Sequence, residues 1–419
     1  MKFKFILFLS IFFFGFSIPN YDYPIDGYKK TKIKRLKYLN LLQEGEIKGK
    51  DILPGAMKSV CDIHLNLMDE RYHDLEKMPA PDSDLQKKLN GLFPNLHSSY
   101  SVTLMDITPG KKARFAERKS DRQFQPGSVG KLAVAVAFFA ELKKQYPNSF
   151  EKRLDLMRNR VVKAGQWGVY DHHTVPIFDT TSNKLTKRRV ETADTATLYE
   201  WVDHMLSVSN NGAASIVWRE AILMRAFCGE YPFLTQERAD QYFEDKKRTD
   251  LMDIAIEVVN DPLRELGIEK NEWRLGTMFT RGATGIIPGK GGSTGSPYGL
   301  MKFLVALERG AVVDYESSLE LKRLMYMTDR RIRYAAHNSL DEAAVYYKSG
   351  SLYSCDETKD APCGKYAGNR YNYMNSVAII EHPDGTMYMI ALMTNVLSKN
   401  SNWDHRSLAG KIDKIVRGI

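Results

Sequence analysis

Three short segments carry the residue types that covalent acyl chemistry needs. The first is Pro126-Gly127-Ser128-Val129-Gly130-Lys131, where an extended stretch hands over to the apolar run Leu132-Ala-Val-Ala-Val-Ala-Phe-Phe-Ala-Glu. A Ser at the first turn of a helix with a Lys three residues later puts both side chains on one face, within hydrogen-bond reach. A Ser hydroxyl is a weak nucleophile, and a Lys made neutral by desolvation can take its proton. The helix N-terminus adds backbone N–H groups for developing negative charge. The second segment is Ser209-Asn210-Asn211-Gly212, a polar triplet ahead of small residues. Ser209 there can relay a proton to a leaving group, and the Asn211 amide can bind a substrate amide. The third is Lys348-Ser349-Gly350-Ser351, a Lys in the middle of strand character. Lys348 and Ser349 suit a carboxylate, and Gly350 lets a ligand lie against the strand edge. Each has a plain alternative: a helix cap with a solvated Lys, a capped loop, and a charged guard on an edge strand.

Other candidates fail on their chemistry. The stretch Gly282–Pro297 resembles a phosphate loop, but Lys290 is not followed by Ser or Thr, nor is a Gly found five residues before Gly289. Asp171-His172-His173 has no third ligand at helical or finger spacing and reads as a surface loop. No metal or cofactor is expected.

The elements that must position these segments follow from periodicity. Residues 98–128 read as two alternating strands with a turn at Pro109-Gly110, and strand character returns at Ala344–Leu352, Asn375–Glu381 and Met387–Thr394. Between about 145 and 335 the period is mainly helical, and a last helix covers about His405–Val416. Strands at both ends with helices between them predict an α+β, three-layer fold: an antiparallel sheet of about five strands flanked by helices, with an all-helical lobe inserted. The chain of 419 residues is 43% hydrophobic and 26% charged, which excludes a disordered chain and a multi-span membrane protein. Lys2 and Lys4 precede an apolar run from Phe5 to Ile18, with Gly15 and Ser17 as small residues before a cut after Ser17. Residues 1–17 therefore read as an export signal, which implies a periplasmic or extracellular protein. Residues 18–95 read as a basic helical extension, with a Lys/Arg cluster at 29–37 suited either to solvent or to an anionic membrane or wall surface. The catalytic unit is drawn at 96–419. The net charge of +9 needs no nucleic acid to explain it. In an oxidising compartment Cys355 and Cys363 are the expected disulfide pair, while Cys61 and Cys228 are equally well read as a second pair or as buried thiols.

Taken in order, the three segments resemble the motifs S-x-x-K, S-D-N and K-T-G of the active-site-serine, penicillin-recognising superfamily of β-lactamases and D,D-peptidases. The flanks from Ser98 to Ile419 look most like the class A β-lactamase branch. The resemblance implies Ser128 as nucleophile, Lys131 as general base and Ser209 as proton shuttle. It makes Asn211, Lys348, Ser349, Gly350 and Ser351 the substrate contacts, with the backbone N–H groups of Ser128 and Ser351 as oxyanion hole. Asn210 stands where the family has Asp, and Ser349 where it has Thr. The implied activity is serine hydrolysis of a β-lactam or related amide through an acyl-enzyme. The alternatives are a D,D-carboxypeptidase or transpeptidase acting on peptidoglycan stem peptides, or a non-turnover penicillin-binding or wall-sensing protein. One departure bears on turnover. If Pro288-Gly289 matches the family's Pro-Gly, the position of the deacylating Glu is Thr280 and that of its Asn partner is Thr284, and no Glu-x-x-x-Asn occurs between Ser209 and Lys348.

Overall fold

A computed structural model describes residues 27–419, so the expected export signal lies outside the described residues. Five strands form the main sheet: β1 (Ser101–Asp106), β2 (Arg114–Arg118), β3 (Ala344–Ser354), β4 (Tyr371–Glu381) and β5 (Met387–Asn395). Their order is β2-β1-β5-β4-β3 and all pairs are antiparallel. Both faces are covered, which is why the strands read as nearly continuous apolar runs. On one face Val102, Leu104, Ala378, Ile380, Ile390 and Leu392 meet Leu85 and Leu89 of helix Ser83–Asn90 and Leu408, Ile412 and Val416 of helix Asn402–Arg417. The alternate residues Met105, Val377, Ile379, Met389, Ala391 and Met393 join the larger core with Leu300, Phe303 and Leu304 of helix Pro297–Glu308. The side-chain period of two thus builds two cores from one sheet.

The helices that carry the site are α1 (Lys131–Gln145), α2 (Leu198–Leu206) and α3 (Asn211–Phe227). In α1 every residue from Lys131 to Leu142 is buried, as its all-round apolar sequence requires. A capping box at Thr197 and Glu200 starts α2, and the Asn210 side chain accepts the Ala213 N–H to start α3.

Several expectations are corrected. The inserted lobe is not all helix: it contains the ribbons Val161–Lys163 with Thr195–Thr197, Val175–Asp179 with Lys184–Arg188, and Trp273–Arg274 with Thr294–Gly295. The second is a hairpin whose turn is closed by Asn183 at φ 51°, a signal the helical reading passed over. The N-terminal segment, expected to be a basic helical extension, is only partly helical. Between residues 54 and 76 it forms short 3₁₀ turns interrupted by coil, beginning at Pro54-Gly55, and Ile33, Leu36, Ile63, Leu65, Leu67, Tyr72 and Leu75 enter the main core. Helix Ser83–Asn90 lies in the outer layer of the sheet, so the boundary drawn at 95 falls after an element the sheet depends on. Nor is the basic cluster uniformly solvated: Lys29, Lys30, Lys32 and Lys34 are exposed, but Arg35 is buried and donates to both carboxylate oxygens of Asp203 at 2.6 Å and to the Met327 carbonyl. Cys355 and Cys363 form a disulfide, whereas Cys61 and Cys228 are exposed and do not bond to each other, so they are neither a second disulfide nor buried thiols.

Candidate active site

Ser128 lies in a 3₁₀ turn, Gly127–Gly130, that runs directly into α1. Glycines let this turn sit against β3. Gly127 has φ 54°, and a Cβ there would come within 2.9 Å of the Ser351 nitrogen. A Cβ on Gly350 would lie 2.2 Å from the Pro126 carbonyl oxygen and 3.1 Å from the Ser128 nitrogen. Gly350 therefore serves strand-to-turn contact, where the sequence had suggested room for a ligand. The same approach sets the Ser128 turn directly against the Ser351 backbone. From β4, Asn375 donates to the Gln125 and Pro126 carbonyls and fixes the turn from below.

The Lys131 amine is fully buried and surrounded by oxygens. It lies 2.8 Å from Ser128 Oγ, 2.7 Å from the Ser209 carbonyl, 3.3 Å from Ser209 Oγ and 2.7 Å from Asn211 Oδ1. The Phe279 ring lies 5.1 Å from it. Burial pushes the amine down to about 7; the Asp171 carboxylate opposes this and Arg330 assists it. Lys348 Nζ donates to Ser209 Oγ at 2.7 Å and to the Ser349 carbonyl at 3.0 Å. Burial, then the neighbouring Lys131, Arg333 and Arg330, holds its amine well below the ordinary lysine value. Ser209 thus has a lysine on each side of its hydroxyl, the arrangement a proton relay needs. Its backbone is in the left-handed region at φ 63°, where a non-glycine residue is strained.

All eight residues expected from the sequence meet around one cleft, lined by Ser128, Ser209, Lys348, Ser349, Gly350 and Ser351, with Lys131 and Asn211 immediately behind. Asn211 is placed otherwise than as a free substrate ligand: its oxygen takes Lys131 and its Nδ2 donates to Asp171 Oδ1 at 3.0 Å. The sequence reading missed Arg330, Arg333, His173 and Tyr366, which also line the cleft, while no Asp or Glu lines it among the described residues. Asp171, expected in a surface loop, is buried: its Oδ2 accepts the Asn211 backbone N–H at 2.5 Å, and its Oδ1 lies 2.7 Å from His173 Nδ1. Burial raises its carboxyl, but the bonds from His173 and Asn211 and the nearby Lys131 outweigh that and leave it at about 2. Only the adjacency of Asp171 to two histidines signalled this loop in the sequence.

The Phe279–Thr280 segment, whose ring lies against Lys131, carries no carboxylate. Thr280 is buried; its hydroxyl donates to the Trp167 carbonyl at 3.0 Å and accepts the Ala283 N–H to cap helix Arg281–Ile286. The Thr284 hydroxyl is taken by the Thr280 carbonyl. Neither hydroxyl can serve as a carboxylate base. Among the described residues no cluster of three or more His, Cys, Asp or Glu is placed to hold a metal ion.

The sequence profile of the Beta-lactamase enzyme family matches residues 84–417. No curated protein sequence matches the chain. Among solved structures, the TLA-3 extended-spectrum β-lactamase is similar at a TM-score of 0.53 and 13% identity, over 80% of this chain and 98% of that one. A class A β-lactamase representative from Bacteroides cellulosilyticus is similar at 0.52 and 15%, over 81% and 97%. PBP-A, solved in mutant form as an acyl-enzyme complex with penicillin G, gives 0.49 and 15%, over 80% and 96%.

Proposed function

From the premise that the chain belongs to the Beta-lactamase enzyme family, we propose that it is an exported serine hydrolase acylated at Ser128 by a β-lactam or a related amide. The observation that carries this reading is the buried Lys131 amine, 2.8 Å from Ser128 Oγ and with a pKa brought down to about 7. A neutral amine there accepts the Ser128 proton as Oγ attacks the carbonyl carbon. The Ser128 and Ser351 N–H groups receive the oxyanion, a contribution of about 3 to 4 kcal/mol per donor. The proton then passes through Ser209 to the departing nitrogen, while Lys348, Ser349 and the arginines hold the substrate carboxylate. Export rests on the apolar run after Lys4 and accords with the Cys355–Cys363 disulfide.

The wall of Phe279 and Thr280 favours a second reading, a D,D-carboxypeptidase or transpeptidase on peptidoglycan stem peptides. Without a carboxylate to activate water, an acyl-enzyme formed by a β-lactam persists. Counting product released per protein separates the two. Release of about one equivalent followed by a slow phase supports the peptidase reading, and many rapid turnovers support the lactamase. Acylation by neither β-lactam nor peptide contradicts both.

A further inference from the structure

Where the family has Asp, this chain has Asn210, whose side chain is spent on the scaffold: it caps α3 and donates to the His173 carbonyl. A carboxylate nevertheless reaches the site from another part of the chain. Asp171 receives the backbone N–H of Asn211 at 2.5 Å and its side-chain Nδ2 at 3.0 Å, which leaves the amide one orientation, with Oδ1 on Lys131 at 2.7 Å. The loop before Asp171 is locked onto α3: a Cβ on Gly212 would lie 2.2 Å from the Gly168 carbonyl oxygen. Tyr170, next to Asp171, has φ 65°, so the backbone bears strain to aim the carboxylate inward.

We propose that Asp171 is the positioning residue of the Ser128/Lys131 pair, orienting the Asn211 amide and supplying the negative charge behind the amine. All four oxygens that touch Lys131 are neutral. Asp171 is the carboxylate that favours the ammonium form; Arg330 opposes it, Lys348 stands across Ser209, and His173 shares the Asp171 oxygen. The inference deepens the acylation reading and, for its kinetic part, rests on it.

The test follows the Lys131 amine directly, by NMR of protein carrying ¹³C-labelled lysine, with Lys131→Arg to assign the signal. Removing a negative charge disfavours the ammonium, so the titration midpoint in Asp171→Asn falls by about one pH unit. The acid limb of acylation by benzylpenicillin moves the same way. A midpoint unchanged in Asp171→Asn overturns the proposal even if acylation slows, since a merely structural role lowers the rate without moving the titration. The orienting part is tested by a double-mutant cycle read on the alkaline plateau, where Lys131 is neutral in every variant and the charge effect drops out: Asn211→Ala and Asn211→Ala/Asp171→Ala acylate equally slowly there if Asp171 orients the site through Asn211, and additive losses contradict it. A midpoint that falls in Asp171→Asn, together with a wild type that is never acylated, refutes the acylation reading and leaves the positioning role standing.

Discussion

At the scale of residues, the site consists of two buried lysines sharing one serine hydroxyl. Burying an amine penalises its charged form, and here the partners of Lys131 are neutral oxygens that compensate only in part. With its pKa near 7, Lys131 is ammonium below that value and neutral above it. The acylation rate should therefore rise about tenfold per pH unit below about 7 and level off above it. A rate independent of pH between 5 and 8 would contradict Lys131 as base. Lys131→Ala should slow acylation by about 10² to 10⁴ while circular dichroism and melting remain native-like. The spacing of Ser128 and Lys131, and the order in which Ser209 and Lys348 follow, made this part of the site legible from sequence, because a helical turn and a strand fix those side chains locally. Asp171, Arg333 and Phe279 were not legible, since folding brings them in from loops whose own residues carry no periodic signal.

At the scale of elements, the strands were readable as short apolar runs bounded by turns, because both faces are covered: Val102 and Leu104 face one core while Met105 enters the other. The ribbon at Val175–Asp179 was hidden by its shortness and by its place among helices. In the site β3 lies close against the Ser128 turn, and Gly350 permits it. Gly350→Ala forces a Cβ onto the Pro126 carbonyl, 2.2 Å away, so the turn must move. The expected cost is about 1 to 3 kcal/mol of stability, with acylation reduced at least tenfold. A variant that acylates at the wild-type rate would show that the turn has slack. Thr280 makes the complementary point: its hydroxyl is committed to Trp167 and Ala283, so that loop braces the site.

At the scale of the whole molecule, the N-terminal segment is part of the body that holds the site. Arg35 joins this segment to Asp203 in α2 and to the Met327 carbonyl, and α2 leads straight to Ser209. Both partners of the ion pair are nearly or fully buried, at 4% and 0% side-chain exposure. Arg35→Ala strands the Asp203 carboxylate and should cost about 3 to 5 kcal/mol, read as a fall in the denaturation midpoint. A loss under about 1 kcal/mol would mean that the segment is only loosely attached. Sequence could not show this attachment, because the basic run that looks like a solvated helix face owes its one buried member to a contact 168 residues away.

The central claim is that Ser128 becomes covalently acylated. The most direct measurement is the intact mass of the protein after exposure to benzylpenicillin, with Ser128→Ala treated in parallel and the adduct located by peptide mapping. The predicted result is a single adduct of one penicillin mass on the peptide containing Ser128, absent from the variant. No adduct on the wild type, or an adduct that Ser128→Ala retains, would contradict it.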